Sequence, residues 1–303
     1  MSEASSLKNA VDFHPDNPFY SVSVVVPFYN VEKYIGESLE AILSQTFPAF
    51  EVIAVDDESQ DGSLAIAESF GDRVRIIRTP NQGVSKARNL GAHYARGTWL
   101  AFCDSDDVWD RTKLEKQLRL VSECPEIHCV ITDYCDVVNG VHAERSHFSH
   151  APEGFWNKEE CASGFIVRKP ITGKLATFQP GIASTPIVRR DFFMAVGGFD
   201  GSVDNSWAAE DTTLFARCLS QVPFGVVPEV LMFYRRHPES ISANAITWLR
   251  KTVRVWEYMI ENYPQVQPYR EELLVGLEEL REEIWQCERY ARRQKLKRLL
   301  GFQ

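Results

Sequence analysis

No stretch of this chain is long and apolar enough to cross a bilayer, which takes about 20 apolar residues in a row. The longest runs, Val22–Val26 and Thr98–Cys103, stop well short of that. The opening segment Met1–Asp16 lacks a basic region followed by an apolar one, so no secretory signal is expected. Paired cysteine spacing is missing too. Seven cysteines, an odd number, are scattered over 303 residues, as expected for reduced thiols in a cytoplasm. Cys124, His128, Cys129 and Cys135 lie near one another but form no Cys-x-x-Cys knuckle, which favours buried thiols over zinc. His142, His147 and His150 fall in an irregular stretch, where a solvent-exposed or acceptor-facing role is expected rather than a metal site. An excess of cations is also absent. The formal net charge of −9 excludes general nucleic-acid binding, which draws its affinity from clustered positive charge.

What is present is an ordinary globular composition, 44% hydrophobic and 25% charged, in a chain long enough for one large domain plus an appendage. After the polar leader Met1–Pro18, β-branched runs alternate with helical spacing. Strands are expected at Ser21–Pro27, Glu51–Asp56, Val74–Arg78 and Thr98–Cys103. Helices are expected at Glu32–Gln45, Ser63–Phe70 and Val84–Ala95. This order implies an α/β fold with a mostly parallel sheet flanked by helices. Ligands in such sheets sit beyond the carboxyl ends of the strands. The polar clusters Tyr29-Asn30, Asp56-Asp57 and Asp104–Asp107 lie at those ends.

The middle, about Asp136–Pro180, is rich in Gly, His and aromatics and shows no regular period. Order returns with Ser184–Arg189, the turn Gly197–Asp200, a helix from about Asp211 to Ser220, and two strands near Gly225–Val227 and Leu231–Tyr234. The last sixty residues change character. Leu249, Val253, Trp256 and Ile260 form one narrow apolar seam, and Leu273, Leu277, Leu280, Ile284, Cys287 and Ala291 form another. Together they predict a C-terminal helical hairpin that packs on the rest of the chain or on a second copy in a homodimer. After Glu288 no acid follows, while Arg289, Arg292, Arg293, Lys295, Lys297 and Arg298 come in quick succession.

Two carboxylates separated by one residue at a strand end, as in Asp104-Ser105-Asp106, can divide work between a ribose and a hard cation with oxygen ligands. Read alone, the same cluster caps a helix over Trp109–Leu120 equally well, and Asp107 is expected to do only that. The cluster is not alone, however. Val22–Asn30 (VSVVVPFYN), Val55–Ser63 (VDDESQDGS), Asn81–Gly91 (NQGVSKARNLG), Phe102–Trp109 (FCDSDDVW), Gly197–Asp200 (GGFD) and Glu210-Asp211 stand in this order across roughly residues 20–240. In these segments the chain resembles the family 2 glycosyltransferases of GT-A fold.

The resemblance implies that Pro27, Tyr29 and Asn30 line a nucleotide pocket, that Asp57 accepts a hydrogen bond from the nucleobase, and that Arg88 lies near the base or phosphates. Asp104 and Asp106 match the family's DXD pair, with Asp106 the direct ligand of Mn²⁺ or Mg²⁺ and Asp104 shared between ribose and metal. Asp211 is implied as the catalytic base with Glu210 beside it, and His237 as a group that approaches the metal or diphosphate. Where the family usually has Gly after its second Asp, this chain has Glu58.

The expected activity is inverting transfer from a nucleotide diphosphate sugar, a uridine donor being favoured, to a glycan or lipid-linked hydroxyl in surface polysaccharide assembly. Two alternatives stand beside it. A non-catalytic sugar-nucleotide-binding module would have no use for a base at Asp211, and a sugar nucleotidyltransferase would need a Gly-rich basic loop after its first strand. The expected division is a leader at 1–18, a GT-A domain at 19–240 and a hairpin with basic tail at 241–303. The protein is expected in the cytoplasm, with the tail reaching the inner face of a membrane.

Overall fold

The structure, a computed structural model, describes residues 12–201, 210–221, 223–237 and 245–299. Most of the expected leader, and the side chains of the basic tail beyond Arg292, lie outside the described residues. A parallel unit comes first: β1 (Val22–Phe28), α1 (Ile35–Leu43), β2 (Glu51–Asp56), α2 (Ser63–Glu68), β3 (Arg75–Arg78), α3 (Val84–Tyr94) and β4 (Trp99–Phe102). Every residue of β1 is buried, as an apolar strand covered on both faces must be. Helix α3 lies close on β1 because residue 91 is glycine; a Cβ there would come within 2.3 Å of Val25 Cγ1.

The second half adds β5 (Val108–Trp109), α4 (Lys113–Glu123), β6 (Cys129–Val138), β7 (Val141–His142), β8 (Lys158–Cys161), β9 (Gly164–Val167) and β10 (Ile187–Arg189). It continues with α5 (Arg190–Ala195), α6 (Glu210–Leu219), β11 (Phe224–Arg236), α7 (Ala245–Asn262) and α8 (Arg270–Leu299). The sheet order is β3-β2-β1-β4-β10-β6-β11-β9-β8. Pairing is parallel through β3-β2-β1-β4 and between β6 and β11, and antiparallel where β10 and β9 intervene. Two antiparallel steps restore direction, so β6 and β11 end on the same sheet edge as β1, β2 and β4. The chain runs outward from β1 through β2 to β3 and then returns to pair β4 on the other side of β1. That reversal opens a crevice at the carboxyl ends of β1, β2 and β4.

Two expectations need correction. The two strands near Gly225–Val227 and Leu231–Tyr234 are one strand, β11, with register shifts between Val227 and Met232. Pro228 explains the interruption, since it offers no N–H to the ladder and forces a bulge. The irregular middle contains a tight hairpin, β6–β7, closed by Asn139 and Gly140 at φ 51° and 78°. Positive φ at both central residues is what a two-residue hairpin loop demands. The same stretch also supplies the edge hairpin β8–β9.

Helices α7 and α8 form the C-terminal hairpin. Leu249, Val253, Trp256 and Ile260 of α7 share a buried cluster with Leu273, Leu277 and Leu280 of α8, and with Phe215 and Leu219 of α6. The hairpin is thereby bound to the body of the chain through apolar contact. Arg281 reaches across it to Glu257 at 2.6 Å. No described helix is long and apolar enough to cross a membrane.

Candidate active site

The acidic loop leaves β4 as a turn, Asp107 N donating to the Asp104 carbonyl at 2.9 Å. Ser38 on α1 donates its hydroxyl to the backbone carbonyls of Ser105 and Asp107, at 2.9 and 2.6 Å. From the other side the Ser184 hydroxyl accepts from Asp104 N at 2.9 Å, and the Ser184 carbonyl accepts from the Trp109 indole at 3.1 Å. The loop is therefore fixed by its backbone, which leaves the carboxylates of Asp104 and Asp106 available for other work.

Asp107 does not cap a helix. The chain first pairs β5 with β11, and only then starts α4 at Lys113, where Asp110 accepts from Thr112 N at 2.8 Å. Asp107 is fully buried, with Ser184 and the Arg235 backbone beside its carboxyl. Burial, and then the charges of Asp106 and Asp104, push its carboxyl well above the usual range.

Arg88 ties the loop to α6. Its guanidinium donates to Asp104 Oδ1 at 2.5 Å and to Glu210 Oε1 at 2.6 Å. Burial works against this cation, but the two carboxylates outweigh it and hold Arg88 protonated. The turn Gly197–Asp200 backs it: Arg88 lies over the Phe199 ring at 4.9 Å, and Asn89 clamps the Phe199 backbone at both N and O. Arg88 thus pairs with a carboxylate 122 positions further along the chain.

Asp211 sits inside the first turn of α6 rather than ahead of it, so it is not the helix cap. It keeps some surface open to solvent, yet burial and then the neighbouring Glu210 charge raise its carboxyl to about 7. A carboxylate poised near neutrality is suited to take a proton from a hydroxyl. Gln179 lies beside Asp211 and accepts the Thr212 hydroxyl. His147 in turn approaches the Gln179 carbonyl, Nε2 to O, at 2.7 Å. The His147 ring is sandwiched between Tyr134 (4.4 Å) and Phe178 (4.7 Å). His147 is therefore half-buried rather than solvent-exposed. Sequence reading missed Ser38, Ser184, Gln179 and Tyr134, because each earns its place through partners far along the chain.

At the crevice Pro27 is buried near the end of β1, while Tyr29 is 45% exposed beyond it. Asn30, at φ 51°, accepts from Gln60 N at 2.8 Å. Asp57 is buried, and its two oxygens accept from Gln82 N (2.9 Å) and Gly83 N (2.8 Å). Glu58 follows at φ 72° and accepts from Asn81 N at 3.3 Å. Asp57 and Glu58 together hold the loop that leads into α3 against the end of β2.

His237 closes the other side. Its Nε2 lies 2.9 Å from Asp106 Oδ2, and its ring stacks on Tyr34 at 4.7 Å. Among the described residues no three His, Cys, Asp or Glu side chains form a ready metal cage. That fits Mg²⁺ or Mn²⁺ bound by one or two carboxylates and completed by substrate phosphates. Asp106 and Asp104 supply hard oxygen donors that are partly open to solvent, at 24% and 26% of their side chains. Cys124, Cys129 and Cys135 are buried free thiols, as expected, and His128 stacks on Phe192.

The chain matches the family described as "Glycosyl transferase family 2" over residues 23–181. It is 27% identical over 246 residues to a glycosyltransferase of Haemophilus influenzae, covering 80% of this chain and 76% of that one. A shorter match, 36% over 104 residues, joins it to the Escherichia coli enzyme WfgD, a UDP-Glc:alpha-D-GlcNAc-diphosphoundecaprenol beta-1,3-glucosyltransferase, and spans 34% of this chain but 41% of that relative. Among solved structures, S. aureus TarS 1–349 with UDP-GlcNAc superposes with a TM-score of 0.63 at 20% identity, over 84% of this chain and 72% of that one. The Pyrobaculum calidifontis mannosyltransferase PcManGT with GDP-Man and Mn²⁺ gives 0.58 at 20% identity, over 92% and 81%. The likeness of fold and the family match agree with the order of motifs on the sheet edge: the chain belongs to glycosyltransferase family 2 and is a sugar-transferring enzyme of GT-A-like fold.

Proposed function

We propose that this glycosyltransferase moves a sugar, with inversion and divalent-metal dependence, from a uridine diphosphate donor to a hydroxyl of a lipid-linked glycan. The single observation that carries the reading is Asp211, a carboxyl held near neutrality and joined through its neighbour Glu210 and through Arg88 to Asp104. Asp211 takes the proton of the acceptor hydroxyl. The acceptor oxygen bonds to the anomeric carbon as that carbon's bond to the diphosphate oxygen breaks on the opposite face. One displacement inverts configuration, and a retaining route would need a nucleophile on the other face of the sugar. Among the described residues, Glu210 and Asp211 are the carboxylates of α6 near Arg88.

Asp106 and Asp104 would hold the metal, with His237 against Asp106. A bound Mn²⁺ or Mg²⁺ neutralises the charge gathering on the leaving diphosphate. Arg88 orients Asp104 and Glu210, and the Asp57–Glu58 corner shapes the floor of the nucleotide pocket with Pro27, Tyr29 and Asn30. The donor reading is supported by relatives whose names or bound ligands include UDP-Glc, UDP-GlcNAc and GDP-Man with Mn²⁺. The lipid-linked acceptor, and with it surface polysaccharide assembly, is supported by the acceptor named for WfgD. Within this reading residues 19–240 are the catalytic domain, and residues 241–303 are a hairpin whose basic end meets an anionic membrane surface.

The test is a thermal-stability screen of UDP, GDP and dTDP with and without Mn²⁺, followed by donor hydrolysis. Ligands that bind the native state raise its apparent stability. UDP with Mn²⁺ is expected to give the largest shift and UDP-sugars to be hydrolysed; stabilisation without any turnover would instead fit a binding module.

A further inference from the structure

The sheet ends at β8, a short edge strand whose Lys158, Glu159 and Glu160 are exposed. Charge on a short edge strand discourages pairing with another chain, but it leaves little apolar surface to hold the strand down. The β8–β9 hairpin is fixed instead at its turn. Cys161 pairs with Gly164 across that turn. Gly164, at φ 153°, lies so close on β11 that a Cβ would come within 2.3 Å of the Val226 carbonyl oxygen.

The same turn rests on the end of α4. Ser163 donates its backbone N–H to Glu123 Oε2 at 3.1 Å and its hydroxyl to the other carboxylate oxygen. Arg168, just past β9, pairs with Glu126 at 3.1 Å and with Glu159 at 2.6 Å. Beside these anchors the Cys124 and Cys161 thiols meet sulfur to sulfur at 3.6 Å, although they stand 37 positions apart. A disulfide holds its sulfurs about 2.05 Å apart, so closing this pair asks each sulfur to move by under about 1 Å.

The two thiols differ in access. Cys124, at the C-terminal end of α4, is buried, and burial followed by the contact with Cys161 holds its thiol up at about 12. Cys161 is half-buried, and Cys287 is the other cysteine that reaches the surface. Cys103 lies against a backbone carbonyl and Cys135 against an imidazole, so neither faces a second thiol in these contacts. An accessible cysteine next to a buried one meets an oxidant first and has a resolving partner at hand.

We propose that Cys124 and Cys161 form a reversible oxidation site, at which a peroxide closes a disulfide that locks the edge hairpin onto α4. The Cys161 thiolate attacks one peroxide oxygen and the O–O bond breaks. The departing oxygen takes up a proton and leaves as water, and Cys161 becomes a sulfenic acid. Cys124 then attacks the Cys161 sulfur; the S–S bond forms, the S–O bond breaks, and the Cys124 proton leaves with the hydroxyl as a second water. The two thiols together give up two electrons and the peroxide accepts them. A small thiol reverses the bond by exchange. Closing the loop between these positions removes freedom from the unfolded chain and so stabilises the fold. Neither cysteine takes part in the proposed transfer reaction, so the oxidation site stands or falls without it.

The test is treatment of the reduced full chain with hydrogen peroxide, followed by alkylation, non-reducing proteolysis and mass spectrometry. The expected product is one linked peptide pair joining Cys124 to Cys161 within a single chain. The melting temperature should rise by about 5 °C or more and return to its starting value in dithiothreitol. Cys161→Ser and Cys124→Ala should lose both the link and the rise, while melting in reductant reports whether each is folded. Cys287→Ser keeps the pair and should respond as the wild type does. Oxidation of Cys161 to sulfinic acid with Cys124 left as a free thiol would overturn the proposal. So would a link from Cys161 to Cys287 or to another chain, or a Cys124–Cys161 link that leaves the melting temperature unchanged.

Discussion

Arg88 donates to Glu210 across 2.6 Å and so joins α3 to the first turn of α6, while its other nitrogen holds Asp104 at the end of β4. One buried guanidinium therefore links the start of the acidic loop to the segment that carries the proposed base. Removing it in Arg88→Ala strands two carboxylates that are largely desolvated. Breaking a buried pair in this way costs about 3–5 kcal/mol. The expected outcome is a cooperative melt at markedly lower temperature together with loss of transfer. Arg88→Lys keeps the charge but not the fork, so it should recover part of the stability and little of the activity. Thermal melts and initial rates on both variants check this.

Glu58 is a second place where a local rule is broken. It adopts φ 72°, a region where a side chain costs roughly 1–2 kcal/mol and glycine costs little. Its carboxylate returns part of that through Asn81 N, a contact at 3.3 Å on an exposed loop. Strain should outweigh so exposed a bond. Glu58→Gly is expected to raise stability by up to about 1 kcal/mol, measured by denaturant unfolding. A clear loss of stability would show that the Asn81 contact holds the loop.

The proposed metal site at Asp104 and Asp106 predicts a dependence on divalent metal. Dialysis against a chelator should abolish donor hydrolysis, and added Mn²⁺ or Mg²⁺ should restore it. Asp106→Asn should resist that restoration, while unliganded stability changes little because the side chain is partly exposed. Full activity in chelator would remove the metal from the mechanism.

The basic end of α8 carries Arg289, Arg292, Arg293, Lys295, Lys297 and Arg298 with no acid after Glu288. Each cation near an anionic surface contributes about 1 kcal/mol. Liposomes containing phosphatidylglycerol should carry the full chain upward on flotation, and less so at high salt. A chain lacking residues 289–303 should stay in the bottom fraction. Equal flotation of the two would contradict a membrane role for the tail.

The parallel half of the fold was legible because its signals are local. Buried β-branched strands, helical spacing and polar strand ends all fall within a few residues, and β2 runs over Glu51–Asp56 as expected. The hairpin seam was legible for the same reason. The middle was not, although Asn139-Gly140 is itself a strong hairpin signal; the surrounding histidines and glycines hid the short strands on either side. Asp107 was misread because nothing local shows that β5 must pair with β11 before α4 can begin. The support around Asp211 was invisible for a different reason. Gln179, His147 and Tyr134 meet only after β6, the 146–150 turn and α6 are assembled, and no spacing in the chain records that meeting.

Asp211 is the proposed base, and its pH behaviour separates a base from a structural carboxyl. Its folded value, about 7, lies above the ordinary 3.8. Its contribution to stability is therefore present below 3.8 and lost as pH rises through 7, while activity should rise over the same interval as the carboxylate forms. The most direct measurement is Asp211→Asn, with sugar transfer and melting temperature followed together from pH 5 to 8.5. The expected result is transfer lowered by about 10²- to 10⁴-fold at pH 8, loss of the acid limb, and a melting temperature at pH 8 no lower than wild type. A variant that keeps transfer within about threefold of wild type while melting several degrees lower would contradict Asp211 as the base and make it a structural residue of α6.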